Sequence, residues 1–301
     1  VAETLQVLKG TSVQPRGLFY SDGALIDIDA SGVPAVTITK PDGTAGPASG
    51  SVTRVSIGTY TFTLAATATA ELTLYAITWT GNIGTQPQTI TTYVEVVGAF
   101  LYTLAALRAV KVAGQLAFQS TTDYPNQTLL DRRVEVTDDF EARTGYSFIP
   151  RFARETFDGD GQTSLILSKY RCQRLLSVTI DGAAQTATDY TLADTGLLQR
   201  KTGGTFPATT PQNVVVEYVY GFARPPAEIS EVALARAAML LLPAQASSTA
   251  STWITPDGTS YSFDPAGRSL SGGGRSFYGV PKIDATLSDP AYNARRGGVF
   301  A

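Results

Sequence analysis

The sequence predicts an α+β multidomain fold in three parts: a β-sandwich over residues 1–98, a helical body over 99–243 with a β insertion at about 146–222, and an extended C-terminal arm over 244–301. Three observations predict it. Between Gly17 and Val97 apolar residues recur every second position in short runs separated by turn residues. Near Ala99 the spacing shifts toward that of a helix. From Ala244 both rhythms dissolve into a Ser-, Gly- and Thr-rich stretch with scattered aromatics.

In the first part, "ALIDIDASG" offers Leu25, Ile26 and Ile28, and "AVTITKPDGT" alternates Val36 and Ile38 with threonines before a Pro41-Asp42-Gly43 turn. "GTYTFTLAAT" places Tyr60, Phe62 and Leu64 on one face, the period of two that a half-buried strand needs. "ELTLYAITWTG" sets Tyr75, Ile77 and Trp79 opposite Leu72, Leu74, Ala76 and Thr78, and "TITTYVEVVG" closes the series. The runs "ITKPDGT", "RVSIGTYTFTL" and "YAITWTG" resemble an immunoglobulin-like domain of about 80 residues. With one cysteine in the chain, the resemblance is to the disulfide-free kind. Four Lys and Arg face seven Asp and Glu over residues 1–98, so the net charge of −3 sits there; the rest balances at nineteen of each.

The second part opens with "FLYTLAALRAVKVAGQLAF", whose apolar residues from Leu101 to Leu116 predict a helix that Gly114 weakens. "DYPNQTLLDRRVEVTDDFEARTG" predicts another, capped by Asn126 and ended by Gly145. Leu129, Leu130, Val134, Val136 and Phe140 turn inward, and the charges form a solvated face. "FIPRFARETFDGDGQTSLILS" reads as two strands around a turn, "RLLSVTIDGAA" as a third strand with an Asp181-Gly182 hairpin, followed by "DYTLADTGLLQR" and "NVVVEYVYGF". At the end of that strand Gly221 permits a bend. Pro225 and Pro226 then stop the sheet and pre-set φ for a helix whose inner face is Ile229, Val232, Ala233, Arg236, Ala237, Leu240 and Leu241. Glu228 and Glu231 suit the positive end of its dipole.

The arm carries Trp253, Tyr261, Phe263, Phe277, Tyr278, Tyr292 and Phe300 in polar surroundings, a pattern expected of anchors for a partner surface. Arg295 and Arg296 are candidates for facing DNA or a partner. The stretches "LLDRRVEVTDDFEARTG", "DYTLADTGLLQR", "VVVEYVYGFARPPAEISEVALARAAMLLL" and "GVPKIDATLSDPAYNARRG" resemble the head-to-tail connector, or adaptor, proteins of long-tailed phages (siphophages) over roughly residues 101–301. Their most specific part is the Gly221–Pro225–Pro226 junction. The resemblance implies a virion structural protein at the portal vertex, assembled in the host cytoplasm. It would form a homo-oligomeric ring, usually twelvefold, under the portal protein. A stopper or tail-completion protein would follow, and genomic DNA would pass through the channel without sequence-specific contact. Most such adaptors lack the immunoglobulin-like domain.

Composition narrows the other classes. There is no histidine, which excludes Ser-His-Asp and Cys-His catalysis and every His-ligated metal site. Cys172, the sole cysteine, reads as a small core filler. "DGDG" at Asp158–Gly161 fails the calcium-loop pattern, with Thr163 at its sixth position and Lys169 at its twelfth, and reads as a hairpin turn. Neighbouring Asp138, Asp139 and Glu141 point to different helix faces rather than forming an acid–base pair. "GGGR" near Gly272 lacks the Lys-Ser/Thr of a phosphate loop. Neither catalysis, cofactor nor metal is expected, and no basic footprint or long apolar run suggests nucleic-acid or membrane binding. The opening "VAETLQVLKG" shows no signal-peptide pattern. A surface adhesion or carbohydrate-binding protein is the alternative that the sandwich allows. A carboxylate hydrolase is weaker still.

Overall fold

Period-two apolar residues become the facing sides of two sheets in the computed structural model, which describes residues 4–29, 32–112, 115–201, 203–242, 252–254, 260–262 and 280–294. The chain divides into two units, Val1–Gly98 with Arg151–Arg154, and Ala99–Pro150 with Glu155–Ala301.

The first unit contains β1 (Thr4–Leu8), β2 (Arg16–Leu18), β3 (Tyr20–Ser21), β4 (Ala24–Leu25), β5 (Ala35–Thr39), β6 (Thr53–Ser56), β7 (Thr59–Thr61), β8 (Thr73–Ile83) and β9 (Gln86–Val97). One sheet has the order β1-β9-β8-β5, the other β2-β7-β6, and β3-β4 is a separate hairpin. β1 runs parallel to β9, with Thr4 opposite Tyr93 and Leu8 opposite Val97. Tyr60, Phe62, Ile77, Trp79, Val94 and Val96 are at most 1% exposed and form the core. The Trp79 Nε1–H donates to Thr92 Oγ1 at 3.0 Å, so the indole is buried without losing its hydrogen bond. At the start of β8 the Tyr75 hydroxyl donates to the Ala68 carbonyl at 2.7 Å, tying the strand to the turn before it. Glu95, in the same unit, keeps its buried carboxylate through Arg151 Nη2 and Gln6 Nε2, both at 2.9 Å. Ile28 is buried as expected, whereas Leu25, on the separate β3-β4 hairpin, and Ile26, just beyond it, are exposed.

Asp27 anchors the edge of this unit. Its carboxylate receives both Nε and Nη2 of Arg54 at 2.7 Å, the Gly58 N–H at 2.9 Å and the Tyr60 hydroxyl at 3.3 Å. The Arg54 bond, then the Gly58 N–H, holds its pKa down from 3.8 to about 2. A carboxylate whose pKa falls on folding stabilises above its unfolded value, and that contribution is lost as pH drops from 3.8 toward 2. Thermal unfolding of Asp27→Asn and the native chain should therefore differ at neutral pH and converge across that acid window. A gap that does not change with pH would show that Asp27 is not the titrating group.

The second unit is mixed rather than a helical body. It holds α1 (Leu104–Arg108), β10 (Lys111–Val112), β11 (Gln115–Leu116), α2 (Asn126–Thr144), β12 (Arg151–Phe157, beginning in the first unit), β13 (Ser164–Ile166), β14 (Cys172–Ile180) and β15 (Ala183–Gln185). Then come β16 (Tyr190–Leu192), β17 (Leu197–Arg200), β18 (Val214–Tyr220), α3 (Ala227–Leu241), β19 (Thr252–Ile254), β20 (Ser260–Ser262) and α4 (Pro281–Ser288). The sheets run β11-β10-β19-β20, β12-β18-β14-β15 and β13-β17-β16.

The helix expected across Leu101–Leu116 stops at Arg108, and the chain then pairs as β10, where Lys111 and Val112 meet Ile254 and Trp253 in register. Asn126 does not cap α2. Pro125 holds the cap position, and the Asn126 Oδ1 accepts instead from Arg108 Nη2 at 2.8 Å. Gly145 does end that helix, at φ +79. Leu130 and Val134 are only half-buried, while Arg133, assigned to the solvated face, is buried with its guanidinium 3.4 Å above the Phe100 ring. Burial pushes the Arg133 pKa down to about 10.

The two strands around "DGDG" join different sheets, so the segment is a loop between them and not a hairpin. Asp158 accepts the Gln212 N–H at 2.5 Å and Asp160 the Gln162 N–H at 2.9 Å, which gives both carboxylates a structural role. Gly159 passes so close to Pro207 that a Cβ would sit 2.0 Å from its carbonyl oxygen. The Asp181-Gly182 hairpin forms as expected, with both residues at positive φ.

α3 buries Ile229, Val232, Ala233, Leu234, Ala235, Ala237 and Ala238, nearly its whole circumference, among α1, α2 and α4. Arg236 is half-buried beside Asp139, at 3.9 Å. The arm was expected to be extended, yet residues 281–288 are helical. Val280, Ile283 and Leu287 are buried, and Lys282 pairs with Glu231. An apolar i, i+4 pair with somewhere to dock is enough to fold so short a helix. No described helix is long and apolar enough to cross a membrane.

Candidate functional site

The junction that stands out in the sequence is also where the second unit concentrates its aromatic side chains. β18 ends at Tyr220, and Gly221 turns the chain at φ +96. Its N–H donates to the Arg171 carbonyl at 3.0 Å and its carbonyl accepts from Gln173 Nε2 at 2.6 Å. The next N–H, of Phe222, donates to Ser147 O at 3.0 Å. Pro226 then occupies the cap position of α3 at φ −59. Three separate segments, around residues 147, 171 and 221, are thereby locked together through main-chain bonds.

Side chains from the same segments meet above that knot. Phe222 stacks near Phe148 at 5.5 Å and Tyr146 at 6.2 Å, and Tyr146 meets Tyr170 edge-on at 5.9 Å. Arg171 lies across this group, its guanidinium 4.5 Å from the Phe222 ring and 5.5 Å from Tyr146. Arg171 itself sits at φ +58, a left-handed conformation uncommon for a residue with a side chain. It is exposed and makes no ion pair among the described residues. Beside it, Lys169 bonds Glu141 at 2.8 Å, and the Tyr220 hydroxyl donates to the same carboxylate oxygen at 3.1 Å. The result is a rigid, partly exposed face of rings with one guanidinium held ready. Tyr and Arg so placed are the residue types that dominate protein interfaces.

Of the residues singled out in the sequence, the structure brings Gly221 and Tyr292 to this face. Tyr292 lies 6.2 Å from Phe148 and 6.3 Å from Phe222, and burial, then the Glu228 carboxylate, raises its phenol pKa. Pro225 and Pro226 link the face to α3. Trp253 and Tyr261 are cross-strand partners in the β19-β20 ladder. Phe263, Phe277, Tyr278, Arg295, Arg296 and Phe300 lie outside the described residues. Sequence reasoning missed Tyr146, Phe148, Tyr170, Arg171 and Phe222. The available signal was the density of aromatics just after Gly145 and around Gly221, but nothing local ties those stretches to residue 171.

Two other places carry polar or reactive side chains. An open cleft of about 400 Å³ is lined by Thr163, Thr191, Gln199, Arg200, Lys201 and Gly203. There Arg200 donates to Thr205 O and Lys201 to Thr188 O, so both cations already serve the fold. Cys172 is buried, its Sγ 3.2 Å from Lys169 O. Burial first, then the Glu155 and Asp194 carboxylates, pushes its thiol up to about 12. Native protein at about pH 8 should therefore not react with a thiol reagent, and one thiol should titrate after denaturation. Rapid reaction in the folded state would contradict the buried assignment.

The strand order of the first unit, a β2-β7-β6 sheet beside a β9-β8-β5 sheet extended by β1, is that of an immunoglobulin-like β-sandwich. No protein-family model and no curated protein matches the chain. Among solved structures it is similar to the titin M3 domain, at 14% identity and a TM-score of 0.20, over 32% of this chain and 88% of that one. It is also similar to a chimeric titin Z1Z2 functionalized with an exogenous KLER peptide from decorin, at 11% identity and a TM-score of 0.21, over 74% and 80% respectively.

Proposed function

We propose that the chain is a virion structural protein, a head-to-tail adaptor subunit that assembles as a ring under a portal and carries an immunoglobulin-like domain. The observation that carries this reading is the locked Gly221 junction. The motif that suggested the adaptor family from sequence is also what organises a rigid face of aromatic rings and an arginine, chemistry suited to docking on protein. On this reading the copies form the ring, the portal and a stopper or tail-completion protein lie on either side, and DNA passes through the channel. Trp253, Tyr261 and the remaining aromatics of the arm, with Arg295 and Arg296, supply further contacts.

Light scattering of the purified chain alone and after mixing with its cognate portal tests the proposal. A small species alone and a ring-sized complex with portal supports it. No complex with portal, together with binding of the single chain to cells or glycans, would replace it by the adhesion reading.

A further inference from the structure

Two exposed surfaces among the described residues, one on each unit, are chemically complementary. On the first unit, the β3-β4 hairpin carries Asp22 at its tip, at φ +51, flanked by exposed Tyr20 and Leu25. The Ile26 N–H donates to Phe19 O at 3.0 Å and the Phe19 N–H to Gly58 O at 2.8 Å, which joins the hairpin to the end of edge strand β6. There Val55 and Ile57 are 60% and 58% exposed. Scattered exposed apolar residues are ordinary, but a contiguous group beside an edge strand marks an interaction surface. Asp22 is exposed and makes no ion pair among the described residues.

On the second unit, the Arg171 face offers the counterpart. Its rings supply apolar surface, and the Arg171 guanidinium, exposed beside Phe222 and Tyr146, supplies paired donors that suit a carboxylate. Arg224, exposed and without an ion pair among the described residues, adds charge two positions beyond Phe222. Because Gly221 and Arg171 are joined by a main-chain bond, little ordering remains to be done on binding.

We propose that the β3-β4 tip of one copy docks on the Arg171 face of a second copy, the Asp22 carboxylate meeting the Arg171 guanidinium while Tyr20, Leu25 and Ile57 cover the rings. The contact joins different patches and is therefore heterologous, so it propagates from copy to copy and can close into a ring. It deepens the adaptor reading by naming how copies meet, and rests on that reading only for closure into a ring.

Charge exchange tests it in the full chain. Sedimentation velocity from about 10 µM to about 1 mM should show reversible association of the native protein. Asp22→Arg and Arg171→Glu should each weaken it at least about tenfold, with circular dichroism unchanged. An equimolar mixture of the two variants should regain association, because each new like-charge pair is then replaced by an opposite one. A native chain that stays monomeric throughout, association indifferent to both variants, or a mixture that stays monomeric would each overturn the docking. A ring-sized complex with portal that survives both variants would leave the adaptor reading standing and remove this contact from it.

Discussion

Gly221→Ala abolishes the cooperative folding of the second unit, while the first retains its own unfolding transition. The expected size follows from geometry. At φ +96 a residue with a side chain is strained by about 1–3 kcal/mol. Here, in addition, the new Cβ would lie 2.1 Å from the Ile149 carbonyl oxygen, a backbone atom that cannot swing aside. Relief requires moving residues 220–222, which breaks the bonds to Arg171, Ser147 and Gln173 at roughly 1 kcal/mol each. The sum, about 4–6 kcal/mol before the clash itself is counted, already reaches the lower end of a domain's whole stability of about 5–15 kcal/mol. Gly221→Asn, often tolerated at left-handed positions, should fail as badly, since the clash involves the Cβ rather than φ alone. Scanning calorimetry of the full chain gives the reading: loss of one transition is expected, and two transitions at native temperatures would refute the account.

The second large effect is Trp79→Ala in the sandwich core. The indole is fully buried and packs 5.4 Å from Phe62. It also lies so near the Gly17 backbone that a Cβ there would be 2.6 Å from the ring. Truncation leaves a cavity between the sheets and a buried Thr92 hydroxyl without its donor, at a cost of about 3–5 kcal/mol. Chemical denaturation of the full chain should show the transition of the first unit moved to much lower denaturant. Trp79→Phe should recover a good part of the loss. Equal loss for Ala and Phe would mean that the hydrogen bond, not the packing, dominates.

What could be read from sequence was local. Tyr60, Phe62 and Leu64 alternate with threonines, and all three are buried. Gly145 and the Gly221–Pro225–Pro226 run mark real turns because their conformational needs are private to those residues. Leu101–Leu116 misled because its apolar spacing suits a helix and two short strands alike. The choice was made by pairing of Val112 with Trp253, far along the chain. Arg133 looked solvated because a charge on a helix usually is, and only Phe100 explains why this one is covered. The candidate face was illegible for the same reason. Arg171 becomes special through Gly221 and Phe222, about fifty residues away, and no periodicity records a long-range main-chain bond.

The parallel pairing of β1 with β9 also fixes how the first unit bears load. Tension applied between Thr4 and Val97 pulls two parallel neighbours in opposite directions along their length. All five residue pairs, Thr4–Tyr93 through Leu8–Val97, then share the force in shear, whereas an antiparallel hairpin pulled from its two ends would peel open pair by pair. A sandwich closed in this way meets a pull along the chain with its terminal strand pair loaded in shear.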